Sequence, residues 1–239
     1  VLKNDVKHFL LSCVREGIAG INFTLPLKEE VYQLADKHSR RASFAKAANT
    51  VWVSDGDILS DNTDGVGLVR DLEKNIGLLL AGMTVLIVGA GGAARGVLGP
   101  ILDTSPSEVT ITNRTRERSV ALSRLASQKN VKILDWGEES PNPFDLILNC
   151  TSLSLLGEEP NIKGNFIHED TCCYDLSYGP DLTSFEKWAR RLGATCIFNG
   201  AGMLVEQAAE AFYLWHGVFP DTGPVIGKLK KILGLNKYF

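Results

Sequence analysis

Gly89, Gly91 and Ala94 are the residues whose spacing most directly implies chemistry, in the segment Val88-Gly89-Ala90-Gly91-Gly92-Ala93-Ala94. They form G-x-G-x-x-A at the end of the apolar run Val85 to Val88, which reads as a strand covered on both faces. Gly89 suits a tight turn, Gly91 lets backbone approach a pyrophosphate, and Ala94 permits close helix packing. With Gly92 and Ala93 they open a helix whose free N–H groups can face an anion. The expected ligand is a dinucleotide.

The next strand, Val109 to Thr112, decides which dinucleotide. Folds that bind NAD place an Asp or Glu at its end for the ribose 2′-hydroxyl. Here stand Asn113, Arg114, Thr115 and Arg118. A carboxylate would repel a 2′-phosphate, whereas guanidinium groups can pair with it bidentately. NADP is therefore favoured over NAD. Arg116 reads instead as part of the solvated face of a helix spanning Thr115 to Ser127.

Lys28 has an argument of its own. It opens a helix running to about Lys37, and a cation in a first turn lies at the positive end of the helix dipole, which favours the neutral amine. The alternative is a surface lysine compensated by Glu29 and Glu30. Asp64 stands just before a helix, Val66 to Lys74, where it could serve simply as an N-cap.

The remaining elements arrange themselves around these groups. An N-terminal helix spans Asp5 to Glu16. Ile21 to Leu25 alternates, with Ile21, Phe23 and Leu25 on one face and Asn22 and Thr24 on a wet one. Ser39 to Lys46 is a short helix, and Thr50 to Asn62 a hairpin turning at Asp55-Gly56. Further parallel strands are expected at Asp145 to Asn149, Cys172 to Asp175 and Thr195 to Phe198, with a helix Ser184 to Leu192 between the last two. Met203 to His216 and Ile226 to Leu233 are the closing helices.

Composition sets outer limits. With 239 residues, 44% of them hydrophobic and 22% charged, the chain can bury a good core and is expected to form two domains. A net charge of −3 gives no electrostatic case for nucleic acid or an anionic membrane. No apolar run reaches membrane-spanning length, and no signal peptide is expected before the first helix. The five cysteines are Cys13, Cys150, Cys172, Cys173 and Cys196. Odd in number and in apolar settings, they read as reduced thiols of a cytoplasmic protein. The four histidines are scattered, without zinc-ligand spacing, so no metal is expected.

Taken in order, Asn22-Phe23-Thr24-Leu25-Pro26-Leu27-Lys28, Ala48-Asn49-Thr50, Asp61-Asn62-Thr63-Asp64-Gly65, the glycine turn, Asn113-Arg114-Thr115, and Gly200-Ala201-Gly202-Met203-Leu204-Val205-Glu206-Gln207-Ala208-Ala209 resemble the shikimate dehydrogenase family. The resemblance covers nearly the whole chain. It implies a reversible NADPH-dependent reduction of 3-dehydroshikimate to shikimate, on two α/β domains around a cleft. A Rossmann-like NADP domain (64–202) would be inserted between the first part of an α/β substrate domain (1–63) and C-terminal helices returning to it (203–239). The resemblance makes Lys28 and Asp64 the catalytic pair, Lys28 as proton donor and Asp64 as its partner. It makes Asn22, Asn49, Tyr178 and Gln207 substrate ligands, and puts Gly200 and Met203 near the nicotinamide. On residues alone, Asn49 could be a turn residue, Gln207 a solvated one, Tyr178 a buried one and Met203 simple core.

Two departures from the family pattern stand out. After Asn149-Cys150-Thr151-Ser152 the family continues with small residues, where this chain has Leu153-Ser154-Leu155-Leu156, bulk that could narrow the nicotinamide pocket. The family also opens with a strand-helix-strand carrying two serines that anchor the substrate carboxylate, and these are absent here, as the start at Val1 without a methionine leads one to expect. Loss of that segment would expose a strand edge. Three rivals follow. A short-chain dehydrogenase is disfavoured because no tyrosine has a lysine four residues on. A quinate/shikimate dehydrogenase using NAD or NADP is closer. A cofactor-binding pseudoenzyme lacking the carboxylate anchor is the non-enzyme alternative.

Overall fold

A computed structural model describes residues 5–126, 131–164 and 166–234. The first layer comprises α1 (Val6–Arg15), β1 (Gly20–Asn22), α2 (Lys28–Leu34), β2 (Lys37–His38), α3 (Arg40–Ala45), β3 (Thr50–Ser54) and β4 (Asp57–Asp61). Its sheet has the order β1-β3-β4-β2, antiparallel except for the β2/β4 pair. The hairpin turns where expected, with Asp55 and Gly56 both at positive φ (51° and 86°), as a type I′ turn requires. Val6, Leu10, Phe23, Leu27, Val31 and Val51 form the core of this layer.

The expected strand Ile21 to Leu25 is cut short. β1 ends at Asn22, Phe23 turns into the core, and Leu25 is 52% exposed. Pro26 cannot donate to a ladder, so the alternation stops before reaching it.

Helix α4 (Asp64–Arg70) leads out of this layer and passes at Asp71–Ile76 into a π-helical turn. The second layer follows: β5 (Thr84–Val88), α5 (Gly92–Asp103), β6 (Glu108–Asn113), α6 (Arg116–Ser123), β7 (Val131–Asp135), β8 (Glu139–Ser140), β9 (Leu146–Asn149), α7 (Leu153–Leu156), β10 (Lys163–Gly164), β11 (Cys172–Asp175), α8 (Ser184–Arg191) and β12 (Cys196–Asn199). The long helix α9 (Ala201–His216) and α10 (Gly223–Ile232) close the chain. Strands β12-β11-β9-β5-β6-β7 form one parallel sheet, the doubly wound order, and β8 pairs with β10 apart from it.

The apolar run of β5 is accounted for by that position. Val85 and Ile87 enter the core under α4, α5 and α9, while Leu86 and Val88 enter the opposite core with Phe185 and Trp188 of α8. Full burial of Leu86, Ile87 or Phe185 stabilises the fold by roughly 1.5–3 kcal/mol each.

Strands β2, β8 and β10 and helix α7 are too short to show a period, and β7 is not among the expected strands although Val131, Lys132 and Ile133 alternate. The helix expected over Thr115 to Ser127 is helical from Arg116 and tightens to a 3-10 turn at Arg124–Ala126, and Ser127 lies outside the described residues. Residues 1–4 and 235–239 at the two ends of the expected substrate domain also lie outside them. Among the described residues no helix is long and apolar enough to cross a membrane.

Candidate active site

Lys28 is the first residue of α2 and Asp64 the first of α4. Although 36 positions separate them, Lys28 Nζ donates to Asp64 Oδ2 at 2.6 Å, with side chains only 10% and 6% exposed. The surface-lysine alternative is thereby removed. Glu29 does not compensate Lys28; it lies 3.8 Å from Arg95 instead. Asp64 is not an N-cap either, because Thr63 holds that position and the Asp64 carboxylate is spent elsewhere. Its Oδ1 accepts from Asn49 Nδ2 at 3.0 Å. The amine stands beside the glycine turn, since a Cβ at Gly92 would lie 3.7 Å from Lys28 Cβ.

Close helix approach makes this meeting possible. A Cβ at Gly96 of α5 would lie 2.8 Å from Asn62 Oδ1 and 3.1 Å from Asp64 Oδ2, and one at Gly67 of α4 would overlap the backbone of Gln207 on α9. Glycine at both places lets α4 sit between α5 and α9 and present Asp64.

Asn49, 2% exposed, is a hub rather than a simple turn residue. Its Nδ2 lies within hydrogen-bond reach of Thr63 Oγ1 (2.8 Å), Asp64 Oδ1 (3.0 Å) and Gln207 Oε1 (3.1 Å), and its Oδ1 accepts from Thr63 N. Gln207 is half-buried, not solvated, and its Nε2 donates to Leu204 O. Asn22, exposed at the end of β1, donates to Thr50 Oγ1 at 2.9 Å. The structure thus brings Lys28, Asp64, Asn49 and Gln207 into one constellation, with Asn22 at its edge. Tyr178 makes none of these hydrogen bonds; it is 41% exposed on the loop after β11, which rules out the buried alternative.

A second, half-buried network, unnoticed in the sequence, lies beside the first. Arg41 of α3 donates through Nε and Nη2 to Asp61 and through Nη1 to Glu210 of α9, and Arg70 of α4 pairs with Glu210 Oε2 at 2.6 Å. Burial works against the charge on Arg41, but Asp61 and Glu210 outweigh it and hold its guanidinium above the ordinary range. Arg41, Asp61, Arg70 and Glu210 lie far apart in the chain, so only their residue types could have hinted at this.

At the centre of the parallel sheet, Gly89 has φ 113°, and a Cβ there would come within 3.0 Å of Thr151 Cγ2 and 3.2 Å of the Cys150 carbonyl. This is the switch point between β5 and β9, where α/β sheets open a crevice. Among the described residues nothing stands within 4 Å of where a Gly91 Cβ would lie, and no side chain caps the N-terminal donors of α5. The open space at Gly91, together with uncapped N–H groups in the first turn at Gly92, Ala93 and Ala94, fits a dinucleotide pyrophosphate. At the end of β6, Asn113 Nδ2 donates to Thr115 O, while Arg114, Thr115 and Arg118 are exposed. Neither Arg114 nor Arg118 is in an ion pair among the described residues, whereas Arg116 pairs with Asp135 of β7.

On the other side of the switch point, Leu155 and Leu156 are 71% and 68% exposed, and Ser154 turns inward to Asp175. Burial, reinforced by the charges of Asp175 and Asp64, pushes the Cys150 thiol well above its usual range, so it offers no thiolate. Gly200 is needed where it stands, because a Cβ would lie 2.2 Å from Leu176 O. Met203 is buried in the core with Leu68 and Tyr174. Among the described residues no three His, Cys, Asp or Glu side chains are grouped to hold a metal ion.

Comparison with known proteins finds relatives along most of the chain. Residues 1–51 match the family described as Shikimate dehydrogenase substrate binding domain, residues 71–160 match Shikimate / quinate 5-dehydrogenase, and residues 200–230 match Shikimate 5'-dehydrogenase C-terminal domain. The Shikimate dehydrogenase (NADP(+)) of Marinobacter nauticus is 47% identical over 229 residues, covering 94% of this chain and 82% of that protein. The crystal structure of an Ael1 enzyme from Pseudomonas putida superposes with a TM-score of 0.85 at 39% identity, over 95% of this chain and 84% of that one. Shikimate 5-dehydrogenase of Thermus thermophilus, solved with NADP(H) and shikimate, gives a TM-score of 0.83 at 29% identity, over 97% and 85%. The chain belongs to the shikimate dehydrogenase family.

Proposed function

We propose that this protein catalyses the reversible NADPH-dependent reduction of 3-dehydroshikimate to shikimate, in the cytoplasm, with Lys28 and Asp64 as its catalytic pair. The observation that carries the reading is the buried Lys28–Asp64 contact of 2.6 Å beside the glycine turn. Bound NADPH supplies the hydride. The chain supplies the rest. Lys28 Nζ, held by one hydrogen bond to Asp64 Oδ2, has donors left over for the oxygen that gains charge as the ketone is reduced, and gives it a proton. Asp64 keeps the amine in place, and Asn49 fixes Asp64 from its other oxygen. Asn22, Asn49, Gln207 and Tyr178 hold the substrate hydroxyls, with Asn49 and Gln207 exchanging their mutual hydrogen bond for substrate. Gly89, Gly91, Gly92, Ala93 and Ala94 cradle the pyrophosphate, Asn113, Arg114, Thr115 and Arg118 the adenosine 2′-phosphate, and Gly200 and Met203 border the nicotinamide.

On this reading the substrate domain comprises residues 1–63 and 203–239 and the cofactor domain residues 64–202. The test is a spectrophotometric assay of shikimate and quinate, each with NADP and with NAD. Turnover of shikimate with NADP is expected to dominate. Preference for quinate or NAD would favour the quinate/shikimate enzyme, and cofactor binding without turnover the pseudoenzyme.

A further inference from the structure

At the carboxyl ends of the strands, Val88, Asn149, Asp175 and Asn199 stand in one register row across β5, β9, β11 and β12. Asp175 is fully buried, yet its hydrogen-bond partners among the described residues are all uncharged. Oδ1 accepts from Asn149 Nδ2 and Ser177 N, both at 3.0 Å, and Oδ2 accepts from Ser154 Oγ and Thr183 Oγ1, both at 2.6 Å. Asn149 Nδ2 and Ser177 N can only donate, and the two hydroxyls donate here. Burial raises the carboxyl above its ordinary range, and these four hydrogen bonds work against that shift in place of the cation that would usually accompany a buried carboxylate.

What these donors have in common is their position. Ser154 belongs to the segment that follows β9, and Ser177 and Thr183 bracket the loop that carries Tyr178. Asn149 passes the constraint on, because its Oδ1 accepts from Thr151 Oγ1 at 2.6 Å and from Thr151 N at 3.2 Å. Thr151 Cγ2 in turn stands 3.0 Å from where a Gly89 Cβ would be. A chain of contacts runs from the Tyr178 loop through Asp175, Asn149 and Thr151 to the glycine turn.

We infer that Asp175 is a positioning residue for the dinucleotide: by binding both segments it holds Thr151 against Gly89 and so shapes the crevice at the switch point. The inference rests on the reading that NADP(H) lies there. The carboxylate touches no reacting atom. Its effect is on how well the crevice is formed before the cofactor arrives, which is read in cofactor affinity.

Asp175→Asn keeps the shape, removes the charge and puts an NH2 group where one acceptor oxygen stood, so that Ser154 and Thr183 must turn from donating to accepting. Titrating the folded protein with NADPH and following nicotinamide fluorescence should show Kd raised roughly tenfold to hundredfold, the scale of one or two lost charge-assisted hydrogen bonds. Ser154→Ala, which removes a single donor and leaves the Tyr178 loop attached, should raise Kd by roughly threefold to tenfold. A lower melting temperature for Asp175→Asn with a wild-type NADPH Kd would reduce the carboxylate to a structural role and overturn the inference. If Asp175→Asn fails to fold, Ser154→Ala decides in the same way. Wild-type protein that binds NADPH but does not oxidise shikimate would defeat the proposed reaction while leaving the Kd comparison readable.

Discussion

Replacing Lys28 by alanine removes the amine that Asp64 holds at 2.6 Å and leaves that carboxylate buried with Asn49 Nδ2 as its remaining side-chain donor. At this separation and an effective dielectric of about 20, the lost Coulomb attraction is about 6 kcal/mol. Most of it is offset by the desolvation that the pair no longer suffers. For pairs this buried, removing one partner costs about 3–5 kcal/mol of stability. That is a large share of a typical total of about 5–15 kcal/mol, so activity must be read on protein shown to be folded. Loss of a general acid should lower turnover by about 10²–10⁴-fold, or roughly 3–5 kcal/mol of transition-state stabilisation. NADPH affinity should stay nearly unchanged, because the site proposed for the pyrophosphate is built of backbone N–H groups and does not use the lysine amine. The assay is the initial rate of NADPH formation from shikimate, with a parallel NADPH titration. Asp64→Asn is the companion variant: it keeps a hydrogen bond but loses the charge, and turnover should fall by at least about tenfold. Undiminished turnover in folded Lys28→Ala would falsify the assignment of the proton donor. Full activity in Asp64→Asn would show that the carboxylate's charge is dispensable.

Arg114→Asp should weaken NADPH far more than NADH, by roughly tenfold to hundredfold in the ratio of their affinities, and equal losses in paired titrations would refute the 2′-phosphate role. Glu210→Ala leaves Arg41 and Arg70 facing an empty place between α3, α4 and α9, and urea unfolding should show a loss of about 2–4 kcal/mol; a loss below about 0.5 kcal/mol would mean that the network merely coexists with the packing. Burial raises the Asp71 carboxyl above its ordinary value of 3.8, despite hydrogen bonds from Tyr174 and Asn75. Between that value and its raised one the folded protein holds more protons than the unfolded chain, so stability from this group falls as pH rises through the window. The stability of wild type relative to Asp71→Asn should accordingly be greatest at acid pH and decline toward neutrality, and an opposite slope in urea unfolding across pH would reverse the assignment.

Much of this protein is written locally in its sequence. The run Val85 to Val88 announces a strand buried on both faces, because alternation is lost when each face has a core to enter. Gly89 marks the turn after β5, and Asp55-Gly56 marks the hairpin, because few residue types accept their positive φ angles. Arg114 and Arg118 state a charge preference that needs no tertiary argument. Short elements such as β2 and β8 were invisible, since two residues carry no period.

The polar contacts are different in kind. Lys28 meets Asp64, Asp61 meets Glu210 through Arg41, and Asp175 gathers Ser154 and Thr183, across separations for which sequence spacing has no rule. Sheet order and the close crossing of α4 with α5 and α9 decide which side chains share a dry space, and burial then decides what each contact is worth. The residue types specified which chemistry was possible; only the folded chain, by bringing distant charges together away from water, decided where it happens.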